Sequence, residues 1–221
     1  MLTTSKTASN LQHDVLDEFD FDPLVEPNEV GVQVDDGVVT LTGTVDSFTK
    51  KWAAERAAFR VEGVRAVAND LSVPSKLTRT DTDMAKDAAD ALARNTLVPV
   101  GQIDITVNNG KISLAGEVSW DYQRRAAEHS LRHLAGVRDV TNLIHIKPHP
   151  ASAYDVKQGI ERALVRSAEL EADRIHVFTE NGSVRLTGTV RSWAERQAAA
   201  DAAWRAPSVT SVTNEIDIRS Y

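Results

Sequence analysis

The 221-residue chain contains no cysteine. That excludes disulfide bridges, thiolate zinc sites and thiol nucleophiles, and it leaves the compartment open. No apolar run is long enough to cross a bilayer. The N-terminal stretch from Met1 to Phe19 has no apolar core and does not look like a secretory signal. A cytoplasmic protein is expected on that ground, or a periplasmic one if a leader has been removed. The chain also lacks H-E-x-x-H, a P-loop, G-x-G-x-x-G and G-x-S-x-G. No catalytic residue, metal or cofactor is therefore expected, and the chain does not read as an enzyme.

A basic excess is missing too. The formal net charge is −7, and it is unevenly spread. Residues 1–74 hold 6 basic and 13 acidic residues, residues 75–148 hold 10 and 9, and residues 149–221 hold 9 and 10. The acid gathers before the first hairpin, at Asp14, Asp17, Glu18, Asp20, Asp22, Glu26 and Glu29. A nucleic-acid partner, which asks for a basic patch on a basic domain, is not expected.

What is present is a repeat. Ile103 to Val118 (IDITVNNGKISLAGEV) reads as a β-hairpin and occurs twice more, at Val30 to Val45 and Ile175 to Val190. Gly37, Gly110 and Gly182 are spaced by 73 and 72 residues, and so are Gly43, Gly116 and Gly188. A period of that length means tandem small domains. The turns Asp36-Gly37, Asn109-Gly110 and Asn181-Gly182 suit a two-residue type I′ loop, in which both central residues need positive φ. Such a loop pairs Val107 with Ile112, Ile105 with Leu114 and Ile103 with Gly116. The equivalent pairs place apolar residues on one face in the other copies.

Helical patterns flank each hairpin. Before it come Leu11-Val15-Phe19, Met84-Ala88-Leu92 and Val156-Ile160-Leu164. The first of these is expected to be a shortened, degenerate helix, because the acidic run, Pro23 and Pro27 follow it. The middle one, Asp81 to Asn95, is expected to be capped by Asp81 or Asp83. After the hairpin comes a helix with a small inward stripe: Ala54, Ala57, Ala58, Val61; Ala127, Ser130, Leu131, Leu134; Ala199, Ala202, Ala203, Ala206. Ser47, Asp121 and Ser192 are the expected caps. Glycines Gly43, Gly116 and Gly188 sit mid-strand, and close approach of the alanine-faced helix is the expected reason. Gly63 and Gly136 close the second helix, with Ser208 in the third copy. A last strand carries Asn69, Asn142 or Asn214, expected to be a structural amide pairing with backbone. The units are expected near 8–74, 80–147 and 153–221, joined by the partly proline-stiffened linkers Pro74 to Thr78 and Lys147 to Ser152.

The order α-β-β-α-β resembles the BON domain, named for bacterial osmotically induced and nodulation proteins. The pattern x-G-x-[VI]-x-L-x-G-x-V followed by G-V-x-x-V-x-N-x-[LI] carries the resemblance. It covers nearly the whole chain in three copies. It rests on the strand glycines 43, 116 and 188, the pairs Gly63-Val64 and Gly136-Val137, and the asparagines 69, 142 and 214. It implies an α+β fold in which each domain is a three-stranded mixed sheet with two helices on one face. It also implies a non-catalytic role, binding phospholipid surfaces in an envelope or osmotic stress response.

Two surfaces qualify as candidate sites. Placing Ala127 and Leu131 inward puts Arg125, His129 and Arg132 outward, with Arg124 on the flank. Trp120 and Tyr122 begin that helix. Together they form a candidate anionic-lipid surface, with a few arginines near an anionic membrane worth about 1 kcal/mol each. His129 and His133 are i, i+4, which is half of a metal site, and the solvated reading is preferred. The second surface is aromatic. Trp52 and Phe59 are seven apart and face away from their own sheet, and Trp204 holds the matching place in the third copy. They are a candidate interface with a neighbouring unit, a second copy or a partner. The corresponding face of unit two is expected to stay open. An anionic phospholipid surface and a protein partner or self-association are the expected partners; a soluble interaction module or scaffold is the alternative function.

Overall fold

The computed structural model of the protein describes residues 7–74, 79–99, 101–147, 152–167 and 172–219. Most of both expected linkers, 75–78 and 148–151, lies outside the described residues. The first copy runs α1 (Ala8–Phe21), β1 (Val30–Asp35), β2 (Val38–Gly43), α2 (Phe48–Arg60), β3 (Ala66–Asn69). The second runs α3 (Asp81–Arg94), β4 (Ile103–Asn108), β5 (Lys111–Val118), α4 (Asp121–Leu131), β6 (Asp139–Ile146). The third runs α5 (Ala153–Val165), β7 (Ile175–Glu180), β8 (Ser183–Val190), α6 (Trp193–Trp204), β9 (Ser211–Ile218). Among the described residues these make three three-stranded sheets, each with the hairpin's second strand in the middle. The fold is α+β, and β2–β3, β5–β6 and β8–β9 are parallel while β4–β5 and β7–β8 are antiparallel.

The hairpin registers follow from the turns. Ile105 pairs with Leu114 and Val107 with Ile112; Val177 pairs with Leu186 and Thr179 with Val184. Asp36, Asn109 and Asn181 stand at φ of 42°, 49° and 47°, each followed by a glycine at 75° to 79°. That is the type I′ signature. Each turn glycine's carbonyl also accepts a hydrogen bond from the segment entering the third strand: Arg65 N–H at 2.8 Å, Arg138 N–H at 2.9 Å and Thr210 N–H at 2.8 Å.

Four expectations change. Helix α1 has 14 residues, as many as α3, so the first helix is not degenerate. Its acids lie outside the buried stripe Leu11-Val15-Phe19, and Thr7 caps it, accepting from Asn10 N–H at 3.2 Å. Pro23 falls after the helix has ended, where it does no harm. Helix α3 is capped by Thr80, in a capping box with Asp83. Asp81, freed from that role, accepts from both turn N–H groups, Asn109 at 2.7 Å and Gly110 at 3.0 Å, and so ties the helix to the hairpin. Asp121 is not the cap of α4; the Gln123 carboxamide accepts from Ser119 and Trp120 N–H at 3.0 and 3.1 Å.

The fourth correction concerns the strand glycines. Gly43, Gly116 and Gly188 have φ of 130°, 132° and 129°. A Cβ on Gly116 would lie 2.1 Å from the Gln102 carbonyl oxygen, and one on Gly188 1.9 Å from that of Arg174. The close neighbour is therefore the main chain entering the adjacent strand, and not the alanine-faced helix. The alanines are nonetheless buried: Ala54, Ala57, Ala58, Ala127, Ala199 and Ala203 are all at 0% exposure.

The chain divides into two compact units. One holds the described residues of Met1–Thr42, Ala53–Asp70 and Pro148–Tyr221; the other holds those of Gly43–Trp52 and Leu71–Lys147. The first and third copies thus share a unit, while a short piece of the first copy belongs with the second.

Candidate functional site

The α4 surface is built around one buried carboxylate. Asp121, at 4% exposure, is the buried charged side chain among the described residues. It is the first residue of α4, where the helix dipole favours an anion. Arg124 bonds its Oδ1, and Arg125 Nε lies 2.5 Å from its Oδ2. Two guanidiniums on one carboxylate satisfy a charge that would otherwise be costly to bury. Arg132 Nη2 bonds Glu128 Oε1 at 2.7 Å. The candidate cations are therefore paired in-house, and the three arginines bring a surplus of one positive charge over Asp121 and Glu128. Tyr122 is 53% exposed, Arg125 and His129 are exposed, and Trp120 is half-buried.

The α4 face is not open along its length. The Arg132 guanidinium lies 4.4 Å from the centre of the Trp52 ring, a cation–π distance. Thr49 Oγ1 donates to the Arg132 carbonyl at 3.1 Å and lies 3.3 Å from His133 Nδ1. The open face expected for the second copy is thus covered at its C-terminal end. Position 132 is held by an arginine whose planar cation suits an aromatic face. These contacts join Thr49 and Trp52 of the first copy to α4 of the second.

The other aromatics divide. Phe59 stacks on Trp193, ring centres 4.2 Å apart and 22° from parallel. Trp204 instead packs, partly buried, against the core of its own domain. Sequence reasoning missed Trp193. It directly follows the cap Ser192, and its equivalents are the buried Phe48 and Asp121, so its position alone signals a residue that needs cover.

The asparagines join the third strand to the second helix. Asn142 Nδ2 donates to the Arg124 carbonyl at 3.0 Å and its Oδ1 accepts from Ile144 N–H at 3.2 Å. Asn214 repeats this with the Arg196 carbonyl and Ile216 N–H at 2.9 and 3.2 Å. Asn69 donates to Glu55 Oε2 at 3.0 Å. Amide groups used on both sides leave little for a ligand. His129 and His133 meet edge to face at 5.6 Å. Among the described residues no cluster of three His, Asp or Glu is placed to hold a metal, and no helix is long and apolar enough to cross a membrane.

Three copies of one α-β-β-α-β module, each tied by the same turn, glycine and asparagine, define a tandem-module α+β protein. The BON domain matches at residues 7–75, 80–148 and 154–220, and the chain belongs to that family. Osmotically-inducible protein Y of Escherichia coli (strain K12) is 28% identical over 129 residues, which is 56% of this chain and 64% of that protein's length. A solved structure of CdsD, a structural protein of the type III secretion system of Chlamydia trachomatis, is 16% identical, covering 95% of this chain and 92% of that one at a TM-score of 0.28. A structure of the C-terminal domain of CdsD covers 95% and 98% at 16% identity and 0.27. At those scores neither likeness has weight for fold or function.

Proposed function

We propose that the chain is a non-catalytic binding protein of the osmotic stress response, acting at phospholipid membrane surfaces. The relation to an osmotically inducible protein supports the physiological setting. The observation that carries the membrane reading is the N-terminal half of α4. There Tyr122 and Arg125, three residues apart on one helical face, are both exposed beside Trp120. An amphipathic ring next to a cation suits the headgroup layer. Because Asp121 offsets one of the two nearby arginines, attachment through this face is weak and falls as salt rises.

Sedimentation with vesicles tests this. Vesicles containing anionic phosphatidylglycerol should carry the chain down at low salt, phosphatidylcholine vesicles should not, and Tyr122→Ser/Arg125→Glu should abolish the difference. Equal binding to both lipids, or an unaffected variant, overturns it. A soluble interaction module is the second reading. The Phe59–Trp193 stack favours it, because it shows the exposed face of a second helix in use for a contact between copies.

A further inference from the structure

Side chains bridge the two helices of the first and second copies, and among the described residues a groove opens between those of the third. In the first, Arg60 reaches across from α2 to α1, with Nε 2.5 Å from Glu18 Oε1 and Nη2 2.6 Å from Asp22 Oδ2. In the second, Asn95 Nδ2 donates to Ser130 Oγ at 2.8 Å. The repeat spacing of 73 and 72 carries Glu18 to Ala163, Asp22 to Ser167 and Arg60 to Arg205. The third copy thus keeps the cation and has lost both carboxylates. A groove of about 610 Å³ lies between α5 and α6, lined by Asp155, Gly159, Ala163 and Ala202 among others. Exposed Arg166 and Arg205 stand at one end of it, and no carboxylate among the described residues is paired with either. A Cβ on Gly159 would meet nothing within 4 Å.

The complement lies on the same chain. Phe21, the last residue of α1, is 86% exposed, and Leu24 beside it is 51% exposed. Asp17 and Asp20 are exposed on the preceding turn. Phe21 is the most exposed large apolar side chain among the described residues, and carboxylates flank it. We infer that the α5–α6 groove receives the Phe21 knob of a second copy of this chain, with Asp20 supplying the carboxylate that Arg205 lacks. The first copy shows the same geometry in miniature, a guanidinium at the end of a second helix held by acids of a first helix. Knob and groove are different surfaces, so the copies either form a two-fold pair in which each gives one knob and one groove, or continue head to tail. Exposure of Phe21 in the single chain shows that it does not occupy its own groove.

Sedimentation equilibrium of the full chain reads this out. The parent should associate reversibly with rising concentration, less so at high salt. Phe21→Ser should be monomeric throughout, and Phe21, Asp20 and Arg205 are all exposed enough for the fold to survive their replacement. Arg205→Glu should weaken association by about tenfold, and adding Asp20→Arg should restore most of it, as charge-swapped partners do. A parent that stays monomeric, a Phe21→Ser variant that associates like the parent, or a charge swap without recovery overturns the inference. If the parent is monomeric and decanoate instead shifts the Ala163 and Ala202 methyl resonances, the groove takes a small carboxylate amphiphile and the self-association reading is wrong.

Discussion

Replacing Gly116 by alanine adds one methyl group, and two costs follow from the geometry. The first is conformational. At φ +132° the backbone is in a region that L-residues rarely occupy, which costs about 1–3 kcal/mol. The second is steric. The new Cβ would sit 2.1 Å from the Gln102 carbonyl oxygen, a main-chain atom that cannot rotate away. Relief requires parting the Ile103–Gly116 pair at the mouth of the hairpin, and overpacking of this kind costs about 1–3 kcal/mol more. A domain of this size has only about 3–10 kcal/mol in total. Gly116→Ala should therefore leave the second copy marginally folded. Hydrogen exchange followed by mass spectrometry separates the copies. Peptides from Ile103–Val118 should lose protection while those from Ile175–Val190 keep it. Gly188→Ala, 1.9 Å from the Arg174 carbonyl oxygen, should reverse the pattern. A Gly116→Ala variant within about 0.5 kcal/mol of the parent would refute the reasoning. Rescue by Ala127→Gly would return the cause to the helix face.

Other outcomes are expected. Ser208 closes α6 at φ +68°, where Gly63 and Gly136 close the other second helices. Ser208→Gly should stabilise the third copy by up to about 1 kcal/mol, read as a raised melting temperature. Burial pushes the Asp22 carboxyl up, but the Leu24 N–H and the Arg60 guanidinium outweigh it and hold its pKa below the ordinary value. Its contribution is thus present above the unfolded carboxyl value near about 4 and is lost as pH falls through the lower folded value. Urea titrations of the parent and Asp22→Asn should differ at neutral pH and converge in acid; a constant gap would contradict this. Phe59→Ala and Trp193→Ala should couple by about 0.5–1.5 kcal/mol in a double-mutant cycle, and strictly additive losses would remove the stack as an energetic contact.

The hairpins were legible because two independent local signals agreed. Asx-Gly sets a turn whose register is arithmetic, and the alternation of Val, Ile and Leu sets the face. The helices were legible from apolar stripes at 3.6 spacing, but the full length of α1 was not, because burial of Leu11, Val15 and Phe19 overrides the acidic run that was expected to shorten it. The caps were less so: Thr80, Asp81 and Asp83 are all plausible on type alone, and only the position of the hairpin turn decides that Asp81 is needed elsewhere. The candidate cations could be named from the helix face, but their pairing with a buried Asp121 could not, because a first-turn aspartate reads as an exposed cap.

The sequence by itself determined the number of domains, the order of elements, the hairpin registers and the family, because each depends on spacing within one copy or on the period from copy to copy. Only the tertiary structure decided why the strand glycines are glycines, which aromatic meets which, and which second-helix face is covered. A close main-chain approach at Gly116 leaves no side-chain signature, and Phe59 on Trp193 or Arg132 on Trp52 joins residues more than 75 positions apart. Contacts at that separation are set by how finished domains pack, a choice made by surface shape and charge after the local periodicities have been satisfied.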